Sequence, residues 1–355
     1  MSHVEGSGIP GQRRAGRAHV LWLFLLIFLG MEAFASDPTD SKSTMLGEPP
    51  STNGERTEVG LGVFVLDIDE IDDVKQTFSA DLFIVALWQD PRLALPEQDR
   101  EGKIRFMAID DVWTPKILLF NDRGMEPKLR DGIEVDDLGN MKYQNRITGE
   151  LKVDLEFQQF PFDVQQLPLE FVSYEYTTDQ LQFSSESTIV GQADRFSIEG
   201  WRLKLLEPEF GEFATPVTDN KLPRLRFAIE AKRDSDYYVL TMLVPMSLII
   251  FMAWTVFWLQ PQIVPPRIAI STASIFSLIA LGVSIRLGLP KVSYLTRADY
   301  FVLGCTLMVF VALAVAVIGS RLANAERMEL ALKINAVARW VYMILFFAVG
   351  LLALS

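Results

Sequence analysis

Two hydrophobic rhythms divide this chain. Between Val59 and Asp234, apolar positions alternate with polar ones in short runs: VGLGVFVLDIDEID, FSADLFIVALWQDPRL, IRFMAIDDVWTPKILLF, MKYQNRITGELKVDLEF, WRLKLLEPEF and PRLRFAIEAKR. Gly, Pro, Asn and Asp punctuate them, as in RGMEPKLRDG and DDLGN. Successive side chains of a strand point to opposite faces, so this period of two predicts about ten short antiparallel strands in an immunoglobulin-like sandwich. From Tyr237 onward the alternation gives way to four apolar segments, 237–259, 268–285, 300–318 and 336–354. None carries an acid in its interior, and each is long enough to cross a bilayer. The expected fold is an extracellular all-β sandwich over 59–235, followed by an all-α four-helix transmembrane bundle over 236–355.

The start of the chain has its own pattern. Basic Arg13, Arg14 and Arg17 precede an apolar run from Val20 to Leu29, then Ala33-Phe34-Ala35 before Ser36. A charged head, a run too short to span and a small-x-small site read as a signal peptide, 1–35. Residues 36–58, rich in Ser, Thr, Pro, Gly and charge, read as a disordered tether. Export of the sandwich sets the orientation: LQPQIVPPR inside, GLPKVSYLTRAD outside, SRLANAERMELALK inside, and the C-terminus outside. Arg321, Arg327 and Lys333 on the internal side against Lys291 and Arg297 outside agree with positive-inside. Pro245 predicts a kink in the first span.

Composition removes several function classes. Both histidines, His3 and His19, precede the proposed cut, and the only cysteine, Cys305, lies in an apolar segment. Histidine acid–base catalysis, thiolate metal clusters and disulfides are therefore not expected, and neither is an enzyme, a cofactor or a metal. The net charge of −12 becomes about −13 without the leader. That does not suit nucleic acid as a partner and would draw cations toward the exterior.

One apolar segment is unusual. Pro265 to Pro290 contains Ser271, Thr272, Ser274, Ser277 and Ser284, with Arg267 and Arg286 nineteen residues apart. At 1.5 Å per residue that is roughly 28 Å, close to the thickness of a hydrocarbon core. A helix facing only lipid gains nothing from repeated hydroxyls, whereas one facing other helices or water uses them. A packed helix with serines bonded to their own carbonyls and a pore wall are both compatible with this stretch.

Four ordered motifs carry a resemblance. Phe157 to Gln165, FQQFPFDVQ, resembles the signature turn of the pentameric ligand-gated ion channels, the superfamily of nicotinic, glycine and GABA receptors and their bacterial relatives. Trp88-Gln89-Asp90-Pro91-Arg92-Leu93 resembles that family's W-x-D-x-R-L strand end, and Trp113-Thr114-Pro115 with Asn121 its W-x-P segment. Leu289 to Tyr294 looks like the link after its pore helix. The positions of the disulfide that animal members carry across the signature turn hold Val153 and Leu167 here. The large cytoplasmic insertion of animal members is also missing. The likeness is thus to prokaryotic members, and implies a homopentamer around a central pore in a bacterial inner membrane.

The resemblance also implies roles. Agonist contacts would come from Phe120, Tyr174, Phe210 and Phe213, with Phe83 supplied by a neighbouring subunit, enclosing an amine by cation–π attraction. The pore would be lined by Ala269, Ala273, Phe276, Ala280 and Val283, with Arg267 and Arg286 at its mouths. Five Phe276 rings would close it by dewetting. Coupling would pass through Asp72, Phe160, Pro161, Phe162, Asp163, Arg233, Pro290 and Lys291, with Asp163–Arg233 as the preferred pair. Pro265-Pro266-Arg267, without the glutamate of cation-selective relatives, favours anions. The implied function is a ligand-gated channel for monovalent ions opened by a small agonist, an amine or protons. The alternatives are a cation-selective or proton-gated channel of the same family, or a non-conducting, membrane-anchored binding protein.

Overall fold

The computed structural model describes residues 48–50, 55–214, 220–287 and 291–354. The proposed leader, most of the tether and Pro290 lie outside them.

Among the described residues thirteen strands form two sheets, more than the ten expected, because several two- to four-residue strands pair at the margins. The larger sheet runs β10 (Ile189–Gln192), β1 (Thr57–Asp72), β2 (Thr77–Gln89), β7 (Asn140–Lys152), β6 (Ile133–Val135), β3 (Arg105–Met107). To it are added β5 (Glu126–Pro127) on β7 and β9 (Leu181–Phe183) on β1. The smaller runs β11 (Trp201–Leu205), β13 (Lys221–Arg233), β8 (Val164–Ser173), β4 (Ile117–Leu119), with β12 (Glu209–Ala214) also on β13. The first strand begins at Thr57, two residues before the expected boundary. Alternation works as anticipated: in β8, Gln165, Leu167, Leu169, Phe171 and Ser173 are buried, while Val164, Gln166, Pro168 and Glu170 face outward or stand half-exposed.

The motifs hold this sandwich together. Asp90, fully buried, accepts from the backbone N–H of Arg92 at 3.0 Å and from its guanidinium at 2.8 and 2.7 Å. The Asp90 N–H donates to Gly139 O at 2.8 Å. Gly139 has φ +80°, and a Cβ there would lie 2.3 Å from Asp90 O, so only glycine fits. Asn121 donates to Lys152 O at 2.9 Å and Pro168 O at 2.8 Å, stitching the two sheets together.

Among the described residues four helices follow, the last three longer than their apolar segments: α1 (Asp236–Trp258), α2 (Val264–Leu287), α3 (Arg297–Asn324) and α4 (Met328–Leu354). Arg, Glu and Lys are good helix formers, so α3 and α4 run past the apolar segments and the third link shrinks to residues 325–327. Glu326, at φ +62°, makes that turn. In α1 a π-helical turn, Val239–Leu243, precedes Pro245 and takes up the missing N–H where a kink was expected. Small residues allow close packing: a Cβ on Gly304 would sit 2.5 Å from Val349 of α4.

No disulfide closes the signature turn. Val153 and Leu167 are both buried in the core, at 2% and 0% exposure. The closure is polar: Gln165 Nε2 donates to Glu156 O at 2.8 Å, and Glu156 N–H donates to Gln165 Oε1 at 2.9 Å. The same Nε2 donates to Asp163 at 2.6 Å. Replacing Gln165 with Leu removes the bonds to both backbone groups of Glu156 and to the buried Asp163 carboxylate, and is expected to lower sandwich stability by about 2 kcal/mol. The thermal midpoint of the purified variant, beside that of exposed Gln166→Leu, measures this.

Candidate functional site

The base of the sandwich is built on helix ends. The first four N–H groups of a helix lack intrahelical acceptors. At α3, Thr296 and Asp299 form a capping box: Thr296 N–H donates to Asp299 Oδ2 at 3.1 Å, and Asp299 N–H to Thr296 Oγ1 at 3.1 Å. The other two go to the signature turn, Arg297 N–H to Gln158 O at 3.1 Å and Ala298 N–H to Phe160 O at 3.2 Å. Phe157 N–H donates to the Tyr294 hydroxyl at 3.0 Å. Phe160 and Pro161 are buried and Phe162 half-buried, so the turn is a plug rather than a flap.

Beside it lies Arg233, 3% exposed at its side chain. Its Nε meets Asp163 Oδ1 at 2.9 Å, while Nη1 and Nη2 meet the two oxygens of Asp73 at 2.8 and 2.9 Å. The guanidinium lies 4.1 Å from the ring centre of Trp201, its cross-strand neighbour, and 5.2 Å from that of Phe160. Burial works against the charge of Arg233, but the hydrogen bonds and charges of Asp73 and Asp163 outweigh it and raise its pKa.

The expected Asp163–Arg233 pair is therefore formed, but its acidic partner from the first hairpin is Asp73, not Asp72. Asp72 accepts from the N–H groups of Val74 and Lys75 in its own turn, at 2.9 and 2.8 Å. The Lys75 backbone bond is the main cause of its lowered pKa. Lys291 lines a small cleft with Arg286, Tyr294 and Asp299.

The aromatic box is present in pieces. Phe120, 49% exposed, packs on Phe213 with ring centres 4.6 Å apart. Tyr174 is exposed but touches neither ring; its N–H donates to Lys116 O at 3.2 Å. Three residues apart in a strand, Phe210 and Phe213 face opposite ways, and Phe210 lines another cleft with Phe183 and Arg224. Phe83 belongs to the other sheet, opposite Phe64 and Arg146. The Arg146 guanidinium grips Asp81, whose pKa falls chiefly through that hydrogen bond.

Comparison with known proteins decides the family. Residues 44–234 match the model of the neurotransmitter-gated ion-channel ligand binding domain, and residues 242–331 that of the neurotransmitter-gated ion-channel transmembrane region. The chain belongs to the neurotransmitter-gated ion-channel family. It is similar to gamma-aminobutyric acid receptor subunit beta-4 of Gallus gallus, 26% identical over 276 residues. The match covers 74% of this chain and 55% of that one, so the chain spans about half the length of its curated relative. Members of this family are pentameric ligand-gated channels, not enzymes, and this one is a multi-pass membrane protein.

Within the family's transmembrane region, α2 has two distinct faces. Arg267, Ser271, Ser274, Leu278 and Gly282 are buried against its own bundle, whereas Ala269, Ala273, Phe276, Ala280 and Val283 are exposed, Phe276 at 68%. Arg267 is a correction. It is fully buried, and its Nη2 donates to Asn335 Oδ1 of α4 at 2.8 Å. Two residues before Ala269 means about 200° around the helix, so it turns away from that stripe. Its Nε and Nη1 have no partner, and no carboxylate pairs with it among the described residues. Arg286, 64% exposed at its side chain, meets Asp299 at 3.3 Å.

Sequence pattern does not mark Gln165, Trp201 and Asn335, nor Asp73 as the partner of Arg233, though a lone Asn near the start of an apolar helix is a visible signal. Removing one partner of a buried pair is costly, so Asp73→Asn is expected to destabilise by about 3 kcal/mol, and Asp72→Asn by under about 1 kcal/mol. Thermal midpoints and yields of assembled protein separate the two.

Proposed function

We propose that five copies of this chain assemble around α2 as a ligand-gated ion channel that prefers anions. The sandwich and C-terminus face the periplasmic side of a bacterial inner membrane. One observation carries the reading: α2 buries its polar stripe in its own bundle and leaves Ala269, Ala273, Phe276, Ala280 and Val283 exposed on the other side. An exposed stripe of small residues and one large ring suits an axis shared with other copies, where the rings close the path by dewetting. The uncrosslinked signature turn and the short third link support the bacterial placement.

Anion preference rests on Arg267 acting from behind the wall. A guanidinium in a low-dielectric bundle with no acid beside it projects its field over several ångströms. Arg286, partly offset by Asp299, contributes less. A small amine or amino acid opens the pore by binding between sandwiches, where Phe120 and Phe213 of one subunit face Phe83 of the next and Tyr174 stands nearby. The Arg233 cluster and the plug on α3 transmit the shift in population.

The test is reconstitution in liposomes with opposed sodium and chloride gradients, during acid jumps and an amine and amino-acid panel. Current reversing near the chloride potential is expected, with Arg267→Gln moving the reversal toward sodium and Phe276→Ala raising resting current. Reversal near sodium in the unmodified protein would discard the anion assignment and keep the channel. Silence under every stimulus, persisting in Phe276→Ala, would leave a non-conducting binding protein.

A further inference from the structure

The two faces of strand β12 meet different surroundings. Phe213 packs on Phe120, whereas Phe210, on the opposite face and 42% exposed, lines a surface cleft of about 240 Å³ on the flank of the sandwich. Strand β12 pairs on one side only, with β13, and its Gly211 and Glu212 form part of the cleft wall beside Phe183 of β9. The rings of Phe183 and Phe210 make that wall partly apolar.

Two cations line the same cleft without matching acids. The Arg224 guanidinium lies over Gly211, where a Cβ would stand 3.5 Å from its Nη2. Its Nε is buried with no partner, and no acid pairs with it among the described residues. A guanidinium carries five N–H donors and buried ones ordinarily find acceptors, so an open set beside a cleft marks a place for one. Arg56 reaches the cleft from just before β1, and the acid nearest to it, Asp179, is 3.9 Å away and 91% exposed at its side chain, a weak pairing. Glu212 does not neutralise either arginine, because it meets Lys221 at 2.7 Å.

We propose that this cleft on the outer flank of the β12–β13 hairpin is an accessory site for a small carboxylate with an apolar body. The carboxylate takes the free donors of Arg224, whose planar fork matches two oxygens, and Arg56 adds charge from the other side. The apolar body lies against Phe183 and Phe210. The volume is below the usual range for drug-sized ligands, which limits the occupant to about the size of phenylacetate. An amine, which the Phe120–Phe213 pair suits, would meet two cations here and be repelled. The site does not depend on whether the pore conducts.

The test is equilibrium binding to the purified full-length protein, read by calorimetry and saturation-transfer NMR, with three probes. These are phenylacetate, 2-phenylethanol, which lacks the charge, and acetate, which lacks the ring. Phenylacetate is expected to bind with a Kd of about 1 mM or tighter, and the other two about tenfold more weakly. Arg224→Gln should erase the preference for phenylacetate over 2-phenylethanol. Arg56→Gln, at an exposed position, should weaken phenylacetate about threefold, and reads the site even where the Arg224 variant fails to assemble. Phe120→Ala, on the far side of the hairpin, should leave phenylacetate binding unchanged. No saturable binding of phenylacetate, equal affinity for 2-phenylethanol, or unchanged binding in the arginine variants would overturn the proposal. Loss of binding in Phe120→Ala would place the ligand in the aromatic box instead, and would overturn it as well.

Discussion

The N–H groups at the start of α3 need acceptors from outside their own ladder, and the protein supplies two of them from a different domain. Gln158 and Phe160 carbonyls close that gap, so the seated sandwich satisfies two of the four N–H groups that the helix cannot satisfy itself. Each such bond contributes about 1 kcal/mol, with a further penalty when a buried group is left unpaired. The joint is thus a shared requirement rather than a chance contact. The buried Arg233 adds a second one, because a guanidinium away from water needs its hydrogen-bonding edges occupied. Asp73 comes from the first hairpin, Asp163 from the signature turn and Arg233 from the last strand, so one cation pins three segments just above the membrane.

The membrane half inverts the usual distribution. Arg267, Ser271 and Asn335 are inside the bundle, and most of the large side chains that remain exposed are apolar. Ser274 donates to Ile270 O at 2.8 Å, which satisfies its hydroxyl locally. The polar face of α2 thus packs within the subunit, and the face that carries Ala269, Ala273, Phe276, Ala280 and Val283 is left exposed. The serines that stood out in the sequence divide accordingly, Ser271 and Ser274 inward, Ser277 and Ser284 outward.

Periodicity made the architecture legible: a period of two produced the long strands and the apolar runs produced the helices. Motif spacing placed Asp163 and Phe160 at the joint. What could not be read were choices between neighbours. Asp72 and Asp73 have the same chemistry, and only the turn geometry turns one back on its own backbone and the other toward Arg233. Trp201 reaches Arg233 through strand register, which no local pattern encodes. Arg267 was readable in principle, since it shares a helical stripe with Ser271, Ser274 and Leu278, but a charge at a helix end suggests a mouth before it suggests a core. That Phe120 packs on Phe213 while Phe210 lines a different cleft follows from strand direction and sheet topology, which alternation does not determine.

The Gln165 bridge across the signature turn has a consequence for where and how the chain matures. A loop closed by amide hydrogen bonds forms at the same rate whether thiols are oxidised or reduced. With Cys305 buried in α3 as the chain's single sulfhydryl, no step of folding involves thiol–disulfide exchange. The sandwich therefore needs no thiol oxidant or disulfide isomerase to acquire its shape, and a reducing environment leaves the Gln165 bridge intact.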